Sequence, residues 1–212
     1  MGKFLAVLSG FAALSTVLLS SIDAYAAKDT ARSASGAVEE VHAQFDPRSG
    51  QTRVTGRASS EQCFLLTLPQ EWRAAAGGLE TRLKSTSSDA ELKVNLRSSH
   101  ELRGLPQRDL ASRDAALLQQ DYESLLGRPA QSVSLASLTP EATRWSATWV
   151  DANLPSGPMT VETFIVPLSQ DWVLELSFTQ VTAKEEYELL VRSLLAGLEL
   201  RRGSGCGNRL AF

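Results

Sequence analysis

The chain has 212 residues, of which 43% are hydrophobic, and its 21 Lys and Arg against 24 Asp and Glu give a net charge of −3. This hydrophobic fraction is ordinary for a globular protein, and the length suffices for one domain with a sizeable core. The weakly acidic balance excludes the basic footprint that is typical of nucleic-acid-binding proteins, so no nucleic acid is expected as a partner.

The start of the chain has the pattern of an export signal. Lys3 supplies a positive charge, an apolar run follows over residues 4–22, and residues 24–26 (Ala-Tyr-Ala) have the small-x-small pattern of a signal peptidase site. We predict a signal peptide over residues 1–26 and a periplasmic location in a bacterium. The alternative is an uncleaved anchor, since the apolar run is long enough to cross a bilayer. After cleavage, no stable membrane insertion is expected.

The rest of the chain is predicted to form a polar, mobile leader over 27–37, one domain over 38–202 and a tail over 203–212. The domain and the tail contribute the two cysteines, Cys63 and Cys206. Export favours a disulfide between them, with two unpaired thiols as the alternative.

The predicted elements begin with strands. Residues 38–58 alternate apolar and polar side chains on both sides of an Asp-Pro-Arg-Ser-Gly turn, which predicts a β-hairpin. Short strand-like runs follow over 63–68, 81–83 and 90–96, and Trp72 is expected in a loop after the first of these runs.

An amphipathic helix is predicted over residues 113–126, because apolar residues recur there at spacings of three and four. This stripe comprises Ala115, Leu118, Tyr122, Leu125 and Leu126. Gly127 follows the last apolar residue and is expected to end the helix, and either Ser112 or Asp109 is expected to cap its start.

Four further strands are predicted, over residues 131–138, 143–151, 160–166 and 171–179. A second helix is expected to begin at the capping-box pattern of residues 182–185 and to carry an apolar stripe from Tyr187 to Leu198. Short turns between the late strands require antiparallel pairing. The fold class is therefore predicted to be α+β, with an antiparallel β-sheet flanked by helices.

The element order resembles the PsbP-like superfamily, to which bacterial envelope proteins of the DcrB type belong. The resemblance covers residues 60–200. It depends on a lead strand that ends in a Pro-x-x-Trp loop, the central helix, the aromatic strand DWVLELSF and the closing helix EEYELLVRSLLAGL. It implies an α/β/α sandwich and a non-enzymatic protein that binds other proteins, and it transfers no individual binding residue.

No catalytic, cofactor-binding or metal-binding residue is predicted from the sequence. His42 and His100 lack the neighbouring motifs of a hydrolytic triad. The adjacent pairs Glu39-Glu40 and Glu185-Glu186 diverge around a strand or helix, and Gly77-Gly78 lacks the lysine of a phosphate loop. Surface positions are the simpler interpretation for all of these residues.

Trp145 and Trp149 share one face of a predicted strand, which leaves two interpretations open. The rings either pack in the core under a helix or form an aromatic platform that binds a peptide or hydrophobic helix. We therefore expect a non-catalytic binding or adaptor protein that acts on an envelope protein or peptide. The alternatives are a hydrolase-like periplasmic enzyme with a dispersed site and a structural or assembly factor of an envelope complex.

Overall fold

The computed structural model describes residues 40–75, 81–150 and 158–206, all of which belong to one compact unit. The predicted signal peptide and leader lie outside the described residues, as does the tail after Cys206. Among the described residues, no helix combines the length and the apolar character needed to cross a membrane.

The described residues form strands, two α-helices and a closing 3-10 turn. In chain order these are β1 (Glu40–Asp46), β2 (Gln51–Ser59), β3 (Gln62–Pro69), β4 (Trp72–Ala74), β5 (Thr81–Ser85), β6 (Glu91–Ser98), α1 (Leu110–Leu126), β7 (Ser132–Ser137), β8 (Thr143–Trp149), β9 (Met159–Pro167), β10 (Trp172–Thr179), α2 (Lys184–Gly197), β11 (Leu198–Arg202) and the 3-10 turn Gly203–Cys206. The predicted α+β class is confirmed at this level.

The strands divide between two antiparallel sheets, where the sequence had predicted one. The small sheet has the order β1-β2-β3-β11, and the large sheet has the order β4-β5-β6-β10-β9-β8-β7. The physical reason is that β2 and β3 bury a shared apolar face, with Val54 opposite Leu66. A sheet with one apolar face has to bury that face against another element.

One core joins the small sheet, one face of the large sheet and α2. Its buried members include Phe64 and Leu66 of the small sheet, Leu174 of the large sheet, and Leu190 and Leu194 of α2. A second core lies on the other face of the large sheet, under α1. The large sheet is therefore covered on both faces, and four successive residues of β10 are buried.

The first helix confirms its prediction and identifies its cap. Asp109 is the N-cap, and its side chain accepts a hydrogen bond from the Ser112 N–H over 2.9 Å. Gly127 has φ of 67°, the left-handed conformation that ends many helices. Trp72, in contrast, was expected in a loop and is buried in β4, where its indole N–H donates to the Pro69 carbonyl over 2.8 Å.

The second helix corrects two expectations. Its N-cap is Ala183, without a side-chain hydrogen bond, so the capping-box prediction was wrong. The helix also ends at Gly197, and Leu198–Arg202 forms β11, which pairs with β3. The reason lies in packing: an added Cβ on Gly197 would lie 2.3 Å from the Thr67 carbonyl oxygen, so the chain meets β3 there and joins its sheet.

The predicted disulfide is present between Cys63 of β3 and Cys206 of the 3-10 turn, with their Cα atoms 5.7 Å apart. The guanidinium of Arg57 also donates to the Cys206 carbonyl over 2.6 Å. The start of the predicted tail is therefore fixed to the small sheet.

Candidate functional site

Strand β7 has one hydrogen-bonded neighbour in the described chain, and no described strand pairs with its other edge, which we call the open edge. Ser132–Ser137 pairs with β8 in antiparallel register. In the same register the Leu138 N–H donates to the Ala142 carbonyl over 2.9 Å, so the even-numbered residues bond to β8. The N–H and C=O groups of Val133 and Leu135 therefore point outward along the open edge.

The other sheet edges in the described chain carry features that discourage strand pairing. Strand β4 has three residues, and β1 lies beside β4. Strand β11 carries Glu199, Arg201 and Arg202. Strand β7 has six residues, none of which is charged or proline. Short length, charge and proline are the usual protections of an edge, so β7 is the unguarded edge of the described residues.

Two apolar side chains of β7 lie partly in solvent on the face that α1 covers elsewhere. Val133 is opposite Ala147 and Leu135 is opposite Trp145, and opposed residues of an antiparallel pair share a face. Ala147 and Trp145 are buried under α1. Val133 and Leu135 remain 43% and 46% exposed, because α1 does not cover the last strand.

Helix α1 crosses the strands and brings Leu125 towards this edge. Asp114 contacts Arg97 of β6, and the Tyr122 ring lies 5.8 Å from the Trp145 ring of β8. In the large sheet β6 and β8 are three strand steps apart, which is about 14 Å at the usual spacing. The eight residues from Asp114 to Tyr122 rise about 12 Å along the helix axis, which is nearly the same distance. The following turn, with Leu125, therefore extends beyond β8 to the side of β7.

The exposure of Leu125 shows where the cover ends. Ala111, Leu118 and Leu125 follow one another at seven-residue spacing and share one side of α1. The first two are buried, whereas Leu125 is 78% exposed, although the sequence predicted it within the buried stripe. We call the outward backbone of β7, with the side chains of Leu125, Val133 and Leu135, the open-edge surface.

A cluster of charged side chains lies under α1, away from the open-edge surface. Arg97 of β6 donates a hydrogen bond to Glu175 of β10, and its Nε lies 3.0 Å from Asp114 Oδ1 of α1. All three side chains are buried, and the Asn95 amide donates to Glu175 over 2.9 Å. Asp121, which is largely exposed, lies 3.7 Å from the Arg97 guanidinium.

The cluster holds more acid than base, and this sets the ionisation of Asp114. Burial raises the pKa of Asp114 to about 9, and the neighbouring negative charge of Glu175 acts in the same direction, against the attraction of Arg97. None of the described residues donates a hydrogen bond to either Asp114 oxygen. Near neutral pH Asp114 is therefore protonated and can donate to Glu175.

A second polar contact attaches α2 to the large sheet. The Tyr187 hydroxyl donates to the carboxylate of Glu162 on β9, and Arg144 of β8 lies 4.0 Å from the same carboxylate. Burial and this hydrogen bond raise the pKa of Tyr187. The contact therefore joins α2 to strand β9.

The structure places in the core both tryptophans that the sequence offered as a possible aromatic platform. Trp145 and Trp149 are 1% and 0% exposed, and each ring lies 5.8 Å from the Tyr122 ring of α1. The Trp149 indole N–H donates to the Arg128 carbonyl over 3.3 Å. This burial agrees with the interpretation that the two rings pack in the core under a helix. A surface platform would need exposed ring faces, and α1 covers these faces.

The histidines and glutamates that were interpreted as surface positions do not form a site among the described residues. His42 lies on β1 of the small sheet, whereas His100 lies in the turn after β6 of the large sheet and contacts Arg103. Glu185 and Glu186 lie in the first turn of α2, where they complement the helix dipole. Glu39 and Gly77-Gly78 lie outside the described residues. No group of three or more His, Cys, Asp or Glu in the described ranges could hold a metal ion.

No protein-family model matches the chain, and no curated protein matches it significantly. The candidate site therefore depends on geometry alone. The sequence predicted β7 as a strand but not as an edge, because strand alternation does not encode the number of neighbours. The absence of charge from SVSLAS was the available signal, and it becomes informative once the strand order is known.

Proposed function

We propose that this protein is an exported, non-catalytic binding protein of the bacterial cell envelope that captures an extended segment of a protein partner at β7. The observation that carries the proposal is the outward backbone of Val133 and Leu135 on an uncharged edge. An extended segment would add a strand there through main-chain hydrogen bonds, a common mode of peptide recognition.

The open-edge surface also specifies what the added segment looks like. Main-chain pairing is independent of sequence, so specificity has to come from side chains at alternate positions. On the α1 side, such side chains would lie beside Val133, Leu135 and Leu125, all partly exposed and apolar. We therefore expect a segment that alternates apolar and small polar residues, with its apolar side chains on the α1 face.

Two observations support the location that is part of this proposal. The Cys63–Cys206 disulfide is typical of proteins that fold in an oxidising compartment. The first 26 residues have the composition of a signal peptide. The antiparallel sheets, with α1 and α2 on opposite faces of the large one, support the proposal that the fold is a PsbP-like α/β/α sandwich.

The proposal is tested with a short peptide that alternates valine and serine, and with hydrogen exchange followed by NMR. In the free protein at low concentration, the amides of Val133 and Leu135 should exchange faster than those of Ser134 and Ala136, which bond to β8. Added peptide should protect Val133 and Leu135 selectively. A peptide of the same length with proline in place of each valine should have no effect, because proline lacks the N–H donor.

Variants separate peptide binding at the β7 edge from nonspecific hydrophobic binding. Val133→Pro removes one outward N–H without removing a β8 hydrogen bond, and Leu135→Lys places a charge on the edge. Each should weaken peptide binding at least tenfold. Leu189→Lys is the matched control, since Leu189 is an exposed leucine on α2. Equal binding by Leu135→Lys and the parent protein, or protection of amides elsewhere, would contradict the proposal.

A further inference from the structure

We infer that the strand added to β7 is the β7 strand of a second copy of this chain, so that the protein is a symmetric dimer with one sheet continuous across both molecules. This inference rests on the proposed function, since it names the partner of the same edge. The argument concerns how well β7 complements itself.

Antiparallel pairing of two β7 strands about Ser134 matches their side chains on both faces. Val133 of each copy then lies opposite Leu135 of the other, and Ser134 lies opposite Ser134 of the second copy. Opposed residues share a face, so apolar side chains meet on the α1 side and small ones meet on the other side. The outward N–H and C=O groups belong to Val133 and Leu135, and these are the groups that this register pairs.

Charge also permits this contact. Two copies of a chain with net charge −3 repel each other weakly, and like charges placed directly opposite would destabilise a pair of strands. Residues 132–137 carry no charge. Arg144, which pairs with Ala136 on the adjoining strand, has Glu162 4.0 Å from its guanidinium. Nothing on β7 itself therefore opposes a second identical strand.

The position of Leu125 fits this arrangement. Seven-residue spacing from Ala111 and Leu118 puts it on the sheet-facing side of α1, yet it is 78% exposed. A sheet that continues past β7 would place apolar side chains of the second copy beneath it. The symmetry supplies one such contact from each molecule, because a two-fold interface uses the same patch twice.

A two-fold contact of this kind also closes the edge. Each molecule has one unguarded edge in its described part, and pairing it with its own copy leaves none free for further growth. An unguarded edge in a monomer is an aggregation hazard, whereas a closed dimer removes that hazard.

The test is sedimentation equilibrium of the exported protein with its disulfide intact, over a range of concentrations. A reversible dimer is expected. Leu135→Lys should raise the dimer dissociation constant at least tenfold, while Leu189→Lys should leave it unchanged. Ser134→Cys should form an intermolecular disulfide on mild oxidation, since Ser134 lies on the two-fold axis. Ser177→Cys, on a central strand, should not form one. Circular dichroism should show the parent fold in every variant.

The outcomes separate the two proposals. A monomer at all concentrations would overturn the dimer, and peptide-dependent protection of Val133 and Leu135 in that monomer would retain the proposed function with a different protein as partner. A monomer without such protection would overturn both. A dimer that Leu135→Lys does not weaken, or that Ser134→Cys does not cross-link, would place the interface elsewhere and overturn the inference.

Discussion

Arg97 and Asp114 face each other under helix α1, with Arg97 Nε 3.0 Å from Asp114 Oδ1 and both side chains buried. Glu175, also buried, shares the same guanidinium. Since one buried cation faces two buried carboxyl groups, the cluster carries a negative charge unless one carboxyl holds a proton. The raised pKa of Asp114 is the result, so α1 covers a carboxylic acid as well as a carboxylate.

Asp114→Asn should remove most of the pH dependence of stability that this cluster produces. The pKa of Asp114 is about 9 in the folded protein, against 3.8 for an ordinary aspartate in water. Folding therefore binds a proton between these values, and the contribution of Asp114 becomes less favourable as pH rises from about 4 to about 9. Asparagine keeps an N–H donor towards Glu175 without this penalty. At pH 9 the variant should be more stable than the parent by at least about 1.4 kcal/mol, the equivalent of one pKa unit.

Urea unfolding at pH 5, 7 and 9 measures this effect. Asp121→Asn is the matched control, because Asp121 belongs to the same cluster but its side chain is 56% exposed. Its stability should follow the parent protein at each pH. An Asp114→Asn profile parallel to that of the parent would show that Asp114 is ionised in the folded protein and that its pKa is not raised.

The sequence predicted local structure well where one periodicity dominated. The stripe of α1 and the alternation of β6 each reflect one buried face, so these elements followed from the pattern. Asp114 lies on the buried side of α1 and was missed, because its partners Arg97 and Glu175 are distant in sequence. The cluster becomes visible only when β6 and β10 are neighbours.

The sequence did not predict that α2 ends at Gly197 or that β7 is an edge strand, and the two omissions have a similar cause. Leu198 continues the helical stripe of α2, yet it pairs with Leu66 of β3, since tertiary contact with the small sheet outweighs local preference. Strand β7 was predicted correctly as an element, but its exposure depends on being last in the sheet. Sequence periodicity indicates which face of a helix or strand is buried, but it does not indicate which strand lacks a neighbour.

Trp145→Ala should destabilise the protein by about 3–5 kcal/mol, the range for truncating a buried aromatic side chain. The ring is 1% exposed and lies against Tyr122, so its removal leaves a cavity between β8 and α1. Trp145→Phe should recover much of this loss by refilling the space. The check is the free energy of unfolding in urea. A loss below about 1 kcal/mol for the alanine variant would place the ring at the surface.

Replacing both Cys63 and Cys206 by alanine should lower the free energy of unfolding by about 4–5 kcal/mol, the chain-entropy value for so long a loop. The bridge joins residues 143 positions apart, so it restricts almost the whole domain in the unfolded state. Reduction of the parent protein should produce a similar loss, measured by urea unfolding with and without a reductant. If reduction leaves stability unchanged while the double variant unfolds, packing of the cysteines rather than the bridge would be responsible.

Gly197→Ala should destabilise the protein more than Gly50→Ala, although both replace a glycine at the end of an element. An added Cβ at Gly197 would lie 2.3 Å from the Thr67 carbonyl oxygen, which is backbone and cannot rotate away. At Gly50, φ is 67° but nothing lies within 4 Å, so alanine there meets only a conformational cost of about 1 kcal/mol. We expect Gly197→Ala to cost about 1–3 kcal/mol or more, as overpacking does in a core. Thermal unfolding of the two variants measures the difference, and equal melting temperatures would mean that α2 and β3 are not in the contact that directs the chain into β11.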